Sequence, residues 1–149
     1  MASKVIINDT VFLTKGFAIS TDKTLLDLNY IYKFLTEQSY WAKNLPFHKF
    51  QTSIANSVCF GVYHHQKQIG FARVITDNST FAYLADVFID VAYRKQSLSK
   101  WLLQTILNHP DFKDLRRWLL ATADAQGLYA QFGFSKLDQP KRFMQIFKP

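Results

Sequence analysis

Three β-rich runs follow one another with almost nothing between them, and that spacing constrains the fold more than any other feature. They are Ser57 to His64, Gln68 to Thr76 and Thr80 to Ile89, joined by His65-Gln66-Lys67 and by Asp77-Asn78-Ser79. Each is rich in Val, Ile, Phe and Tyr, which pack well on a half-buried pleated surface. Links this short cannot carry the chain back across a sheet, so the runs are expected to pair antiparallel, as a meander.

Past the third run the period changes. Leu98, Trp101, Leu102, Leu103, Ile106 and Leu107 recur at helical spacing, and Pro110 closes that helix. Leu115 to Thr122 then reads as a buried strand, so the meander leads into a β-α-β crossover with at least one parallel pair. Ahead of the meander, Lys4 to Ile7 and Val11 to Ile19 read as one or two short strands broken by Asn8-Asp9. Leu25, Leu28, Ile31, Tyr32 and Leu35 share a helical face, with Thr24 and Asp27 as a capping pair and an end near Gln38. A loop from Ser39 to Pro46 leads to a second short helix with Phe47, Phe50 and Ile54 on its apolar face. At the other end, Ala125 to Gln131 is a short helix, Gly133 punctuates it, and Met144 to Phe147 gives a last strand. The expected order is β-α-α-β-β-β-α-β-α-β, a mixed-sheet α/β fold in one domain over residues 1–149.

Composition bounds the chemistry. With 48% hydrophobic and 16% aromatic residues over 149 positions, the chain is able to bury a real core. The net charge of +7 favours anionic partners, but the basic residues are scattered and form no tail or RNA-binding signature, so nucleic acid is disfavoured. The lone cysteine, Cys59, sits in an apolar run, and no Cys or His spacing resembles a metal site, so no metal is expected. No apolar run reaches membrane-helix length and Met1-Ala2-Ser3-Lys4 opens no signal peptide, so a cytoplasmic location is expected.

The stretch from Val87 to Leu107 carries the most chemistry: a strand runs through a polar turn straight into a helix. A helix start offers unpaired N–H groups and the positive end of the dipole, and Arg94, Lys95 and Lys100 add charge beside it. A phosphate-bearing ligand fits such a start; an ordinary connection capped by Ser97 or Ser99 fits it equally. Asp86, within an apolar strand, needs a partner or a solvated cleft. Arg73 poses the same demand, met either by a salt bridge to Asp86 or Asp77 or by an anionic acceptor group. Asp124 suits a cap on the Ala125 helix, with proton transfer as its second role.

This segment resembles the acetyl-CoA-binding motif of the GNAT superfamily of N-acetyltransferases, whose turn reads Arg/Gln-x-x-Gly-x-Gly/Ala; Arg94, Ser97 and Ser99 are the matching residues. Leu128-Tyr129-Ala130-Gln131-Phe132-Gly133-Phe134 is similar to the family's late Tyr-x-x-x-Gly-Phe signature, and the element order agrees from about Phe17 to Phe147. The resemblance implies a GNAT-type acyl-CoA N-acyltransferase fold and acetyl transfer from acetyl-CoA to a primary amine of a small molecule or peptide, by direct attack in a ternary complex. It implies that Phe88 and Ile89 pair by backbone with the pantetheine arm, and that Arg94, Lys95, Gln96, Ser97, Leu98, Ser99 and Lys100 cradle the pyrophosphate. Tyr129 would be the general acid for the thiolate and Asp86 the base. The loop holding Tyr40 and Trp41 would lie over the acceptor, with Arg73 and Tyr83 nearby. Both glycine positions of the turn carry serine here, and glycine there allows close approach and unusual dihedrals. An acyl-CoA-binding module with weak or lost catalysis is therefore the alternative. A homodimer through a sheet edge or the C-terminal strand is compatible with the pattern.

Overall fold

The computed structural model describes residues 8–149, so the strand expected over Lys4 to Ile7 lies outside the described residues. Where a strand was expected from Val11, the chain forms helix α1, Asp9–Thr14, followed by strand β1, Phe17–Ser20. The polar pair Asn8-Asp9 is the reason. Asn8 is the N-cap, its Oδ1 accepting from the Thr10 N–H at 2.9 Å, and Asp9 sits in the first turn where negative charge is favoured. Gly16, at φ +86°, then turns the chain; a Cβ there would stand 2.2 Å from the His65 ring.

The next helix also starts later than its apolar spacing suggests. Asp22 caps a 3-10 turn over Lys23–Leu25, and α2 runs Leu28–Glu37 with Asp27 as its N-cap, accepting from the Tyr30 N–H at 3.0 Å. Thr24 and Asp27 thus belong to separate caps, and Leu25 lies outside the helix, exposed. Helix α3, Phe47–Ala55, follows Pro46, which holds the N-cap position; Phe50 and Ile54 are buried, while Phe47 is partly exposed.

The meander forms as β2 (Val58–His64), β3 (Lys67–Thr76) and β4 (Phe81–Ile89), paired antiparallel. Two residues at positive φ, His65 and Gln66, make the first hairpin turn, the conformation that matches strand twist. In the second, Asp77 Oδ1 accepts from the N–H groups of Ser79, Thr80 and Phe81, and these bonds with the Thr80 hydroxyl hold its carboxyl well below the usual range. Helix α4, Leu98–Leu107, leads to β5, Arg117–Leu119, which lies parallel to β4. The five strands stand in the order β1-β2-β3-β4-β5. One face carries α2 and α3 through Ile31, Phe34, Leu35, Phe50 and Ile54, packed with Cys59, Phe71 and Phe88. Phe60, one residue on from Cys59 and therefore on the opposite face, packs against His109 and Phe112 beyond α4.

Strand β5 is three residues long, against the eight expected from Leu115 to Thr122. The described residues divide into two compact units: residues 8–121, which hold the five strands described, and residues 122–149. In the latter, α5 spans Gln126–Ala130. Its start is not capped by Asp124; Thr122 Oγ1 instead accepts from the Asp124 and Ala125 N–H groups, at 3.4 and 3.1 Å. Its end is a Schellman motif: Gly133 at φ +95° donates to Ala130 O, and Phe134 donates to Tyr129 O. Met144 to Phe147, expected as a last strand, forms none. β-propensity does not make a strand without a partner edge, and Met144 and Ile146 are almost fully exposed.

Candidate active site

The site begins with a break in strand pairing. Arg73 faces Ala85 and Phe71 faces Phe88, so Asp86 and Val87 together oppose the single residue Ala72. This is a β-bulge, and Asp86 supplies its left-handed residue at φ +55°. Simple alternation would set Asp86 level with Leu84 and Phe88; the extra residue resets the count. A non-glycine residue in this region is costly unless its surroundings hold it. Here Arg73 Nε donates to Asp86 Oδ2 at 2.9 Å, and Trp41 Nε1 donates to Asp86 Oδ1 at 2.8 Å. Arg73 also donates through Nη1 to Ser57 Oγ at 3.0 Å. The Arg73 and Asp86 side chains are only 15% and 11% exposed, so each satisfies the other's burial. Asp77 takes no part, since its carboxylate is used within its own turn.

Trp41 reaches Asp86 from the loop between α2 and α3, so three of the proposed residues, Trp41, Arg73 and Asp86, meet at one place. Tyr40 joins them through its edge-to-face contact with Trp41, ring centroids 5.0 Å apart at 86°. Tyr83 pairs with Ile75, one alternate position along from Arg73, on the same sheet face as the arginine. Ser57, which anchors the far end of the arginine, carries no local sequence signal. Its only trace is the demand of an arginine inside an apolar strand for partners.

Beyond the bulge the sheet opens. Pairing of β4 with β5 covers Phe81–Arg117, Ala82–Trp118 and Tyr83–Leu119 and stops there, while β4 continues to Ile89. Asp90 N–H donates to Ile69 O, so the alternate residue Ile89 turns its N–H and C=O away from β3, toward the open side. Phe88 points its backbone at β3 instead, and its ring stacks on Phe34 at 3.8 Å. The Ile89 carbonyl accepts from Arg94 Nε at 3.1 Å, which folds the turn back over the end of the strand.

The turn then delivers α4 with its first N–H groups unused by any side chain. Ser97, the N-cap, makes no side-chain capping bond, so the ordinary capped connection is absent. Its carbonyl accepts from Trp101 N–H at 3.0 Å. Ser97 lies at φ +65°, the left-handed region that a glycine would occupy freely, and Lys95 does the same. The serine therefore keeps the backbone shape associated with the missing glycine, at a conformational cost. Leu98 is buried, Ser99 and Lys100 open the helix, and Gln96 Nε2 donates to Tyr93 O at 3.3 Å. Tyr129 lies in the unit of residues 122–149, its ring edge-on to Phe134 at 5.9 Å across the Schellman cap. Among the described residues no group of three or more His, Cys, Asp or Glu side chains is placed to hold a metal ion.

A β4 edge left open beyond β5, a bulge in β4 and an uncapped helix start make up the site, and comparison with known proteins shows its class, an acetyltransferase of the GNAT type. The model of the acetyltransferase (GNAT) domain matches residues 55–136. A Gibberella zeae protein provisionally named an acetyltransferase is 31% identical over 140 residues, covering 79% of this chain and 78% of its own. A GNAT-family protein from Xanthomonas campestris superposes with a TM-score of 0.87 at 43% identity, over 89% of this chain and 94% of its own. A Clostridium acetobutylicum protein named a predicted acetyltransferase and solved with acetyl-CoA shares the fold at TM-score 0.61 and 15% identity, over 88% and 94% of the two chains. The chain belongs to the GNAT acetyltransferase family.

Proposed function

We propose that this protein moves an acetyl group from acetyl-CoA to a primary amine by direct attack within a ternary complex. The observation that carries this reading is the end of β4–β5 pairing at Tyr83–Leu119, which leaves the β4 edge open just before the uncapped start of α4. The Ile89 N–H, turned away from β3, suits a carbonyl of an extended pantetheine arm as a further strand would, while its C=O is taken by Arg94. The N–H groups at the α4 start, with Arg94, Lys95 and Lys100 near, suit a pyrophosphate. Gln96, Ser97, Leu98 and Ser99 shape that turn. Acetyl-CoA, when bound, supplies an activated thioester; the amine nitrogen forms the new amide bond as the carbon–sulfur bond breaks, and the sulfur leaves as thiol.

On the acceptor side, Asp86 is the carboxylate at the loop of Tyr40 and Trp41, with Arg73 and Tyr83 beside it on the sheet. With one bond to each oxygen from Trp41 and Arg73, it retains lone pairs able to take the amine proton, directly or through water. Tyr129 is assigned the proton for the leaving thiolate on the strength of the Tyr129-x-x-x-Gly133-Phe134 match. Calorimetry with acetyl-CoA tests the first half: saturable binding is expected, and none at millimolar ligand overturns it. Tyr129→Phe tests the second, with turnover expected to fall at least tenfold and unchanged turnover refuting the acid role. The alternative of a binding module is favoured by one observation, the left-handed serine at position 97. Acetyl-CoA binding with no thiol release across a broad amine panel would establish it.

A further inference from the structure

The turn from Asp90 to Ser97 keeps a shape that its own residues do not favour. Lys95 and Ser97 both stand at φ +65°, and neither is glycine. Residues in that region persist where their surroundings over-determine the backbone. Within the turn, Tyr93 N–H donates to Asp90 O at 2.9 Å, closing a 3-10 turn over Val91–Tyr93, and the Tyr93 carbonyl accepts from Gln96. From outside, Tyr30 of α2 donates its hydroxyl to Asp90 Oδ2 at 2.9 Å and so holds the start of the turn. His64, the last residue of β2, meets the Tyr93 hydroxyl through Nδ1 at 3.2 Å, directly before Arg94.

The His64 ring is itself fixed. Its Nε2 lies 3.1 Å from the Lys15 carbonyl, between α1 and β1, and its face stacks on Phe17 with centroids 4.4 Å apart. A carbonyl only accepts, so Nε2 carries the hydrogen. In the neutral ring that leaves Nδ1 as an acceptor, and the Tyr93 hydroxyl donates to it. Tyr93 also sets its ring edge-on to Phe17, at 6.1 Å and 87°. Lys15, His64 and Tyr93 thus form a strut that runs from the β1 end of the sheet to the residue before Arg94.

We propose that His64 is a positioning residue: through Tyr93 it holds the serine-bearing turn in the shape that receives the pyrophosphate of acetyl-CoA. A loop already in its bound shape loses less freedom when the ligand arrives. The inference rests on the acetyl-CoA reading of the site. Its test is calorimetry on the full chain with acetyl-CoA and with the two halves of that molecule. One half is adenosine diphosphate phosphorylated on its ribose, which carries the pyrophosphate and no pantetheine. The other is S-acetylpantetheine, which carries the arm and no phosphate. Tyr93→Phe deletes only the hydroxyl and keeps the ring on Phe17. It is expected to weaken acetyl-CoA and the nucleotide about threefold to tenfold and to leave S-acetylpantetheine within about twofold. His64→Gln keeps a donor where Nε2 stands and loses the acceptor at Nδ1, so it should behave as Tyr93→Phe does. His64→Asn keeps an acceptor where Nδ1 stands and should hold acetyl-CoA within about twofold of the parent. Nitrogen NMR of the neutral His64 ring should place its hydrogen on Nε2. A residue that merely supports the fold would weaken both halves alike. Unchanged acetyl-CoA affinity in folded Tyr93→Phe and His64→Gln, equal weakening of both halves, or a neutral ring with its hydrogen on Nδ1 overturns the proposal. A parent chain that binds no acetyl-CoA overturns the cofactor reading itself, and the proposal with it.

Discussion

Trp41 and Asp86 are joined by a 2.8 Å hydrogen bond from indole nitrogen to carboxylate, tying the loop between α2 and α3 to the bulge of β4. The same carboxylate neutralises Arg73 on its other oxygen, so one left-handed residue fixes a loop, a strand and a buried charge together.

Breaking that junction has a predictable cost. Asp86→Ala leaves Arg73 largely buried without its counter-charge and keeps a β-carbon at positive φ; the expected loss is about 2–4 kcal/mol. Asp86→Gly loses the same charge but not the backbone fit, and is expected to be about 1 kcal/mol less damaging than alanine. A double-mutant cycle with Arg73→Met, read by urea unfolding, should give a coupling of about 1–3 kcal/mol. Additive effects would show that the pair does not hold the bulge.

Ser97 is held at φ +65° where it bears a side-chain penalty. Ser97→Gly removes that penalty but adds chain entropy to the unfolded state, for a net gain of about 0.5–1 kcal/mol. This corresponds to a rise in Tm of about 1–4 °C. The same change is expected to tighten acetyl-CoA binding, because the loop loses atoms near the phosphates without changing shape. A lower Tm with weaker binding would mean that the serine contributes a contact of its own.

At high pH two buried groups destabilise the fold. Burial pushes the Cys59 thiol from 9.0 up to about 11 and the Tyr63 phenol from 10.0 up to about 12. Both are neutral when protonated, so the folded chain holds their protons where the unfolded chain releases them. Their contribution is complete below pH 9 and is lost between pH 9 and 12. A Cys59→Ala/Tyr63→Phe variant should lose stability less steeply over that window in pH-resolved urea melts. The Tyr63 hydroxyl is buried with no hydrogen-bond partner among the described residues, so Tyr63→Phe alone should be neutral or stabilising by up to about 1 kcal/mol at pH 7.

The Schellman cap after α5 gives a fourth prediction. Gly133→Ala places a β-carbon at φ +95° and should cost about 1–2 kcal/mol by thermal unfolding. Phe134→Ala removes the ring that packs on Tyr129 and should disturb that tyrosine without altering the turn.

Much of this fold is legible in the chain because its signals are local. The hairpins at His65-Gln66 and Asp77 to Ser79, the Pro46 entry to α3 and the Leu98 to Leu107 helix all follow from residues close in sequence. The chain departs from its local signals where one of them outweighs another. Asn8 and Asp9 looked like a strand break because both residue types favour turns, but the same preference makes them a helix start. Met144 to Phe147 has strand composition and no strand to pair with. At the site, the polar residues in apolar strands, Arg73 and Asp86, announced that partners were needed. The bulge that lets them meet did not show, because a single extra residue leaves no mark in a run of Ala-Asp-Val. Ser57 was invisible for a related reason: its role depends on an arginine sixteen residues away.

The bulge has a consequence for how such a protein changes over time. An inserted residue uncouples the two halves of β4, so a shift of side chains before Asp86 is not transmitted as a register slip to Ile89 and the helix beyond. Substitutions on the Arg73 and Tyr83 side can then be absorbed without moving the half that leads into α4.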